Sequence, residues 1–468
     1  MKTIDQIAAE LQGYDPNALP ADKVGEFLAA LVQPIDGIDS VDLFAALGRV
    51  LADDVVSPIS VPAHDNSAMD GFAFRGADLL ATGVSQFKVV GTALAGKAWQ
   101  GHVRAGECVK IMTGAIMPGG LDTVVPQELC TVLADAIEIK AGLLHTGDNR
   151  RFRGEDLMQG SPALSKGELL SPAAIGLLAS LNISHVNVVR KLKVAYFSTG
   201  DEVLSLGEAA REGAIYDSNR YTVYGMLTQL GVEVIDMGVV RDEPVLLEAA
   251  FKNAAAQADA IITSGGVSVG EADFTKAMMH KLGADVAGGA GGVAFWKIAM
   301  RPGRPMAVGR IAKPAAPGSQ LTTTAPNLST KSASSPIEYR ANSYENNSTI
   351  LFGLPGNPVA VMVTMLAFVR PALLRMMGAN PAKYCSAPLY LQARSGEALR
   401  KKPGRTEYQR GTVTRMADGS LQVKTTGNQG SGVLSSMVQA NGLIVLHHAQ
   451  GNVAVGDVVD VLMLDSAM

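Results

Sequence analysis

Apolar residues return along this chain in rhythms that change from segment to segment. Within residues 1–60 they recur every three or four positions, as in Val24–Leu31 and Leu43–Leu51, and this spacing predicts two or three helices. From 61 to 156 the rhythm shortens. Phe87–Val90, Cys108–Met112, Thr123–Pro126 and Ala136–Ile139 are apolar runs parted by Gly, Asp and Pro turns, the pattern of an all-β module. Residues 157–190 return to mixed structure, with a helix starting at Ser171–Pro172, a capping residue followed by proline in the first turn.

From Lys191 onward strands and helices alternate. Val194–Phe197, Val232–Val239, Ala260–Thr263 and Ile350–Phe352 read as strands. Asn219–Leu230, Glu243–Gln257, Ala272–Leu282 and Pro358–Met377 read as helices, the first closed by Gly231 and the third by Gly283. Such alternation predicts a parallel sheet with helices on both faces. Residues 313–348 interrupt it with a stretch rich in Ser, Thr, Asn, Ala and Pro, read as a disordered surface insertion because it holds too little apolar surface to offset its ordering entropy. After Pro381 five runs (Leu389–Ala393, Tyr408–Val413, Leu421–Thr425, Gly442–Leu446 and Val458–Leu462) predict a small barrel or sandwich.

The expected organisation is therefore multidomain α/β plus β. Helices are expected over 1–60, a β domain at 61–156 and mixed structure at 157–190. An α/β domain follows at 191–379, then a C-terminal, barrel-like β domain at 380–468.

Composition narrows the function classes. The chain has 468 residues, 47% hydrophobic and 18% charged, with a formal net charge of -4, a balance that gives no reason to expect nucleic acid as a partner. Three scattered cysteines fit a reducing compartment and exclude a disulfide framework, and the seven histidines show no zinc-site spacing. The amphipathic, acidic start MKTIDQIAAELQGYD is not a signal peptide, and the apolar stretch Val359–Val369 is too short to span a bilayer. A soluble cytoplasmic protein is expected, with no membrane partner.

Chemistry gathers at loops expected at the carboxyl ends of strands, where open α/β sheets bind ligands. They are Ser198–Glu202, Thr263–Asp273, the RPGRP run Arg301–Pro305, and the GLPGNP run Gly353–Pro358. Glycines after a strand and before a helix let backbone N–H groups approach an anion, although tight βα turns use the same residues. No Walker A or GxGxxG pattern is present, which disfavours an ordinary ATPase or dinucleotide enzyme. Glu202, Asp242 and Asp273 follow strands on that edge and suit either a magnesium site or helix capping. Asp70 sits in the polar run HDNSAMDGFA, read as a loop, and Thr113 in MTGA. Arg150, Arg151 and Arg153, then Lys297, Arg301, Arg304 and Arg405, supply cations suited to phosphate and oxyanions.

DNSAMDGFA, MTGA, RRFRGED, FSTGDE, TSGGVSVGEAD, PGRP and GLPGNP occur in this order. Taken together the series resembles the molybdopterin molybdenumtransferases, bacterial relatives of the E domain of gephyrin, over nearly the whole chain outside 313–348. The resemblance implies a four-domain protein that forms an elongated homodimer, with 1–60 and 157–190 making one helical linking domain into which the β domain 61–156 is inserted. It implies an active-site cleft formed by the α/β domain of one subunit and the β domain of the other. The implied reaction exchanges the adenylate of molybdopterin-adenylate for molybdate on the dithiolene and releases AMP. Mg2+ is implied as cofactor, and a molybdopterin adenylyltransferase as upstream donor.

Carried over residue by residue, the resemblance implies catalytic roles for Asp70, Thr113, Glu202, Asp242 and Asp273, with Asp70, Glu202, Asp242 and Asp273 also holding metal. It implies that Ser264, Gly265, Gly266, Ser268, Pro302, Pro305, Gly356, Asn357, Arg151 and Arg153 bind the adenylylated pterin, and that Lys297, Arg301, Arg405 and Ser431 receive molybdate. The chain departs from the family pattern where RPGRP replaces KPGKP and Phe72 replaces a tyrosine. Two other readings remain at this point, a molybdopterin adenylyltransferase, which would consume ATP, and a non-catalytic scaffold of the gephyrin type.

Overall fold

A computed structural model of the chain describes residues 2–267, 274–284, 286, 291–314, 348–385 and 388–464. Ser268, Asp273 and all of the 313–348 insertion except Lys313, Pro314 and Ser348 lie outside the described residues. The chain divides into two compact units, one of Met1–Asp39, Gly48–Val50 and Val189–Met468, the other of Ser40–Leu47 and Leu51–Val188. Helices Ile4–Glu10 and Ala21–Leu31 belong to the first unit and Pro172–Ser180 to the second.

The smaller unit is built on a six-stranded sheet in the order Thr123–Pro126, Gly71–Phe74, Glu107–Ile111, Val84–Ala93, Ala136–Lys140, Thr131–Val132. Alternation along Gly71–Phe74 sends Phe72 and Phe74 to one core with Phe87, Ile137 and Ile139, and Ala73 to another with Val109, Ile111 and Val124. The run read as a loop therefore ends in a wholly buried strand inside the sheet, and its first half holds the two-residue strand Asn66–Ser67 before the irregular stretch Ala68–Asp70. The helix expected over Leu43–Leu51 is also corrected. It stops after Leu43–Ala46, capped by the Asp42 carboxylate, because Leu47 leaves the helical region at ψ 129 and Gly48 takes φ 74, which no helix continues through.

In the larger unit the sheet runs Glu233–Val240, Lys193–Thr199, Ala260–Ser264, Ser348–Leu354, Pro305–Ala312, Gly292–Lys297. The first four strands are parallel, and the last two add on antiparallel. The reversal follows from chain length: only Ile298–Arg304 joins Gly292–Lys297 to Pro305–Ala312, far too little for a parallel crossover. Helices Pro244–Gln257 and Phe274–Ala284 cover one face through Phe197, Phe251, Ile261, Met279 and Leu351. Ser264 is in antiphase to Ile261 and meets Asn219, so helix Asn219–Gln229 lies over the other face together with the start of the helix at Pro358. Gly283 does not end its helix as expected but lies inside it, where a Cβ would come within 3.0 Å of the Gly292 carbonyl carbon.

Pro358–Met376 is longer than its apolar stretch suggested, running 19 residues through Arg370, and by length and composition it could cross a membrane. With 72% of it buried inside the protein, it is a core helix. The C-terminal strands close into a barrel, Thr406–Arg415 pairing with Leu421–Thr425, then Leu391–Ser395, Val458–Met463, Gly442–Leu446 and back to Thr406–Arg415. Met300 and Arg301 pair with Thr406 and Glu407, tying the RPGRP loop to this barrel.

An ion pair fixes the opposite, amino-terminal edge of the parallel strands. Arg190 donates to both Asp259 oxygens at 2.7 and 2.8 Å, and the Lys193 N–H adds a third bond at 3.0 Å. Burial pushes the Asp259 carboxyl up, but these bonds outweigh it and hold the group below the ordinary carboxylate range. A depressed carboxyl stabilises above its unfolded pKa and loses that contribution as pH falls through the folded one. Arg190→Ala leaves the half-buried Asp259 with only the Lys193 N–H and should cost about 1–3 kcal/mol at neutral pH in urea unfolding. The gap from the wild type should close only below the ordinary aspartate value of about 3.9; a gap that is constant down to strongly acid pH would show that the ion pair is not its source.

Candidate active site

The larger unit contains a cleft of about 790 Å³ at the carboxyl ends of the parallel strands. Its wall is made by residues of the four strand-end loops and of Ile215–Asn219, together with barrel residues Arg405, Gln429, Gly430 and Ser431. Among the residues singled out from the sequence, Glu202, Ser264, Gly265, Gly266, Arg301, Pro302, Pro305, Gly356, Asn357, Arg405 and Ser431 all line it. Lys297, whose N–H is bonded to the Pro16 carbonyl at 2.7 Å, and Asp242 are not among the lining residues. The Asp242 N–H donates to the Asp201 carboxylate at 3.3 Å, in the loop that carries Glu202.

Local structure explains why these loops leave room for a ligand. Gly265 and Gly266 take φ 89 and 63, and a Cβ on them would lie 2.4 Å from the Thr199 carbonyl and 2.5 Å from the Thr275 hydroxyl. Only glycine lets this turn close on its neighbours. Asn357 precedes Pro358 at the start of the long core helix, and its side chain caps none of the helix N–H groups. The positive end of that helix therefore faces the cleft beside the glycine turn, a setting that favours anions. Glu202 folds back over Gly200, where a Cβ would stand 2.7 Å from its Oε2.

Several groups in and around the cleft escaped sequence reasoning. Tyr196 is buried and its hydroxyl bonds to Ser198 and Ser264 at 2.9 and 2.7 Å, joining two strand ends. Burial raises its phenol far above the usual range, although both serines pull it down, so it stays neutral. Asp217 and Asn219 line the cleft from the start of a helix. In the sequence they look like ordinary capping residues. Arg410 is buried in the barrel and donates to the Ser436 hydroxyl and to the carbonyls of Asn428, Gln429 and Gly430. It thereby holds the loop that presents Gln429, Gly430 and Ser431. Its only sequence signal was a charge inside the strand run Tyr408–Val413, a place where an arginine is rarely idle. Arg405 is committed in part to the buried Glu407, with Nε 2.7 Å from its Oε1.

The smaller unit brings a second set together. Ser67 exchanges backbone bonds with Gly114 and Ala115, and Asn66–Ser67 pairs with Arg150–Arg151, so DNSAMD, MTGA and RRFRGED converge. Asp70 Oδ1 accepts the Thr113 N–H at 2.7 Å and the Thr113 hydroxyl at 2.8 Å. These two bonds hold the exposed Asp70 carboxyl below its ordinary value, with the nearby Lys110 charge adding to the effect. Asp65 accepts the Arg153 N–H at 2.7 Å and pairs with Arg150, which leaves the Arg151 and Arg153 side chains exposed. Among the described residues no three His, Cys, Asp or Glu side chains converge on one point as a metal cage would require.

Comparison with known proteins agrees with this architecture. Family models for the MoeA N-terminal region (domain I and II), the probable molybdopterin binding domain and the MoeA C-terminal region (domain IV) match residues 19–182, 195–375 and 392–464. The molybdopterin molybdenumtransferase of Haemophilus influenzae is 38% identical over 420 residues, covering 90% of this chain and 92% of that protein. The enzyme of the same name from a Nostoc species is 34% identical, covering 91% and 88%. Among solved structures, a molybdopterin biosynthesis moeA protein from Pyrococcus horikoshii superposes with a TM-score of 0.65 at 27% identity, covering 96% of this chain and 99% of that one. The matched regions and the cleft define a multidomain protein built around a probable molybdopterin binding domain. The chain belongs to the molybdopterin molybdenumtransferase family.

The Asp70–Thr113 pair gives a direct test of the second cluster. Thr113→Val removes the hydroxyl donor and keeps the backbone one, so the Asp70 carboxyl should titrate closer to an ordinary aspartate in a carbon-detected NMR titration. An unchanged Asp70 titration would mean that the hydroxyl bond does not form in solution.

Proposed function

We propose that this protein inserts molybdate into adenylylated molybdopterin, releasing AMP and forming the molybdenum cofactor. The observation that supports the reading most is a single cleft lined by two glycine-bearing strand-end turns, a helix start, Arg301, Arg405 and Glu202. Backbone groups at Ser264–Gly266 and Gly356–Asn357 suit the phosphates, with Pro302 and Pro305 shaping the wall against the pterin. Molybdate is a dianion, and Arg301, Arg405 and Ser431 offer it charge and a hydroxyl, with Lys297 as a further cation. Arg151, Arg153 and Ser268 are proposed to bind the adenylylated pterin as well.

Magnesium fits this donor set. The ion takes oxygen ligands, usually keeps several waters, and binds through one or two carboxylates plus substrate phosphates rather than a protein cage. Glu202, on the cleft wall with the anion-binding turns, is the ligand we assign first, followed by Asp242, Asp273 and Asp70. When bound, the ion would offset phosphate charge during release of AMP. Glu202 and Asp70 orient the reacting groups, Thr113 fixes the Asp70 carboxylate, and the arginines hold the incoming oxyanion. The protein is proposed to act as a cytoplasmic homodimer, supplied by a molybdopterin adenylyltransferase.

Purified protein given molybdopterin-adenylate, molybdate and magnesium should release AMP in step with formation of active cofactor. Removal of the metal by EDTA should stop the reaction. Glu202→Gln and Asp70→Asn should each lower AMP release by about a hundredfold or more while melting like the wild type. Turnover that required ATP and free molybdopterin instead would refute the assignment.

A further inference from the structure

Asp217 and Asn219 stand on the cleft wall with hydrogen-bonding capacity that the protein itself leaves unused. Asp217 is 5% exposed, and its Oδ1 accepts the Arg220 N–H at 3.0 Å, which caps the helix. Its Oδ2 is buried and meets no donor among the described residues. Asn219 spends its amide N–H groups on the Gly356 carbonyl at 2.7 Å and the Ser264 hydroxyl at 3.4 Å, and its Oδ1 is likewise buried without a donor. Neighbouring donors are committed elsewhere. The Arg220 guanidinium is bound to both Asp236 oxygens at 2.8 and 2.7 Å, and the Tyr196 hydroxyl is shared between Ser198 and Ser264.

Capping explains one oxygen of Asp217 but not the other. A carboxylate oxygen withdrawn from water without a donor is strongly unfavourable, and unsatisfied buried acceptors on a ligand cleft are what a ligand's donors complete. Elsewhere the same cleft is cationic and glycine-lined, so it suits a molecule with an anionic tail and a hydrogen-bond-donating head. We propose that Asp217, assisted by Asn219, recognises the 2-amino-4-oxopyrimidine edge of the pterin, the 2-amino and N3–H groups donating to the oxygens that the protein leaves unpaired. This inference rests on the substrate reading given above. It makes Asp217 a specificity residue for the ring system, separate from the carboxylates assigned to metal.

The chemistry of the edge supplies the test. Lumazine differs from pterin by a carbonyl in place of the 2-amino group, which turns a donor toward Asp217 into an acceptor. Binding of the phosphate esters of 6-hydroxymethylpterin and 6-hydroxymethyllumazine to the full chain is followed by fluorescence in EDTA. The wild type should prefer the pterin by about tenfold or more, the factor expected of a hydrogen bond to a charged group. Asp217→Asn keeps the cap through its carbonyl oxygen but puts an NH2 where Oδ2 stood, and should abolish or invert the preference. Asp217→Ser, also able to cap, should abolish it too and stands in if the asparagine variant does not fold. A preference that survives in a folded variant overturns the role of Asp217 alone, as does a wild type that binds both esters equally in EDTA. A wild type that binds neither ester overturns the pterin reading together with this one.

Discussion

Everything at the cleft depends on the register of three parallel strands. Ser198 pairs with Ser264, and Ser264 with Leu354, so the chain leaves Lys193–Thr199, Ala260–Ser264 and Ser348–Leu354 at the same level. Because the strands are parallel, their loops must emerge on the same edge. A shift of one residue in any strand would reverse its faces, taking Ser264 off Tyr196 and Ile261 out of the core. The Arg190–Asp259 pair at the far edge and the Tyr196–Ser198–Ser264 bonds at the near edge clamp the same register from both ends.

The barrel takes part through backbone as much as through side chains. Arg301 pairs with Glu407 as a short parallel strand, which sets the RPGRP loop against the barrel wall. Arg410 then gathers three successive carbonyls of the Asn428–Gly430 turn, and the Val359 N–H at the helix start bonds to the Ser431 carbonyl at 3.1 Å. A buried guanidinium is costly unless its donors are used, so this turn has little freedom to move away from the cleft.

Charge in the larger unit is distributed to match. Glycine turns, a helix start and arginines offer positive potential, whereas Glu202, Asp217 and the Asn219 carbonyl offer acceptors on the same wall. A substrate that carries both a phosphate and a donor-rich heterocycle meets complementary groups at both of its ends. The smaller unit follows the same economy with the Asp70–Thr113 bonds, where one carboxylate is kept ionised by a hydroxyl and a backbone N–H rather than by a buried cation.

Local pattern alone determined the strand and helix alternation after Lys191, the five barrel strands, the proline-capped helix at Ser171 and the glycine turns, because each is encoded by periodicity or by residues with restricted backbone preferences. The ordered motifs also identified the family, through a match spread over nearly the whole chain outside 313–348. Other features do not follow from the apolar rhythm. The antiparallel pair came from a short connection, the in-helix Gly283 from the nearness of Gly292, and the early stop after Ala46 from a glycine that a three-to-four spacing passes over. Of the site, the glycines, Glu202 and the arginines were legible because their residue types announce an anion site. Tyr196, Asp217, Asn219 and Arg410 were not, since each looks locally like a strand or cap residue. What sets them apart is the absence or choice of partners far along the chain, and that is decided only when the tertiary structure buries one group and leaves another without a donor.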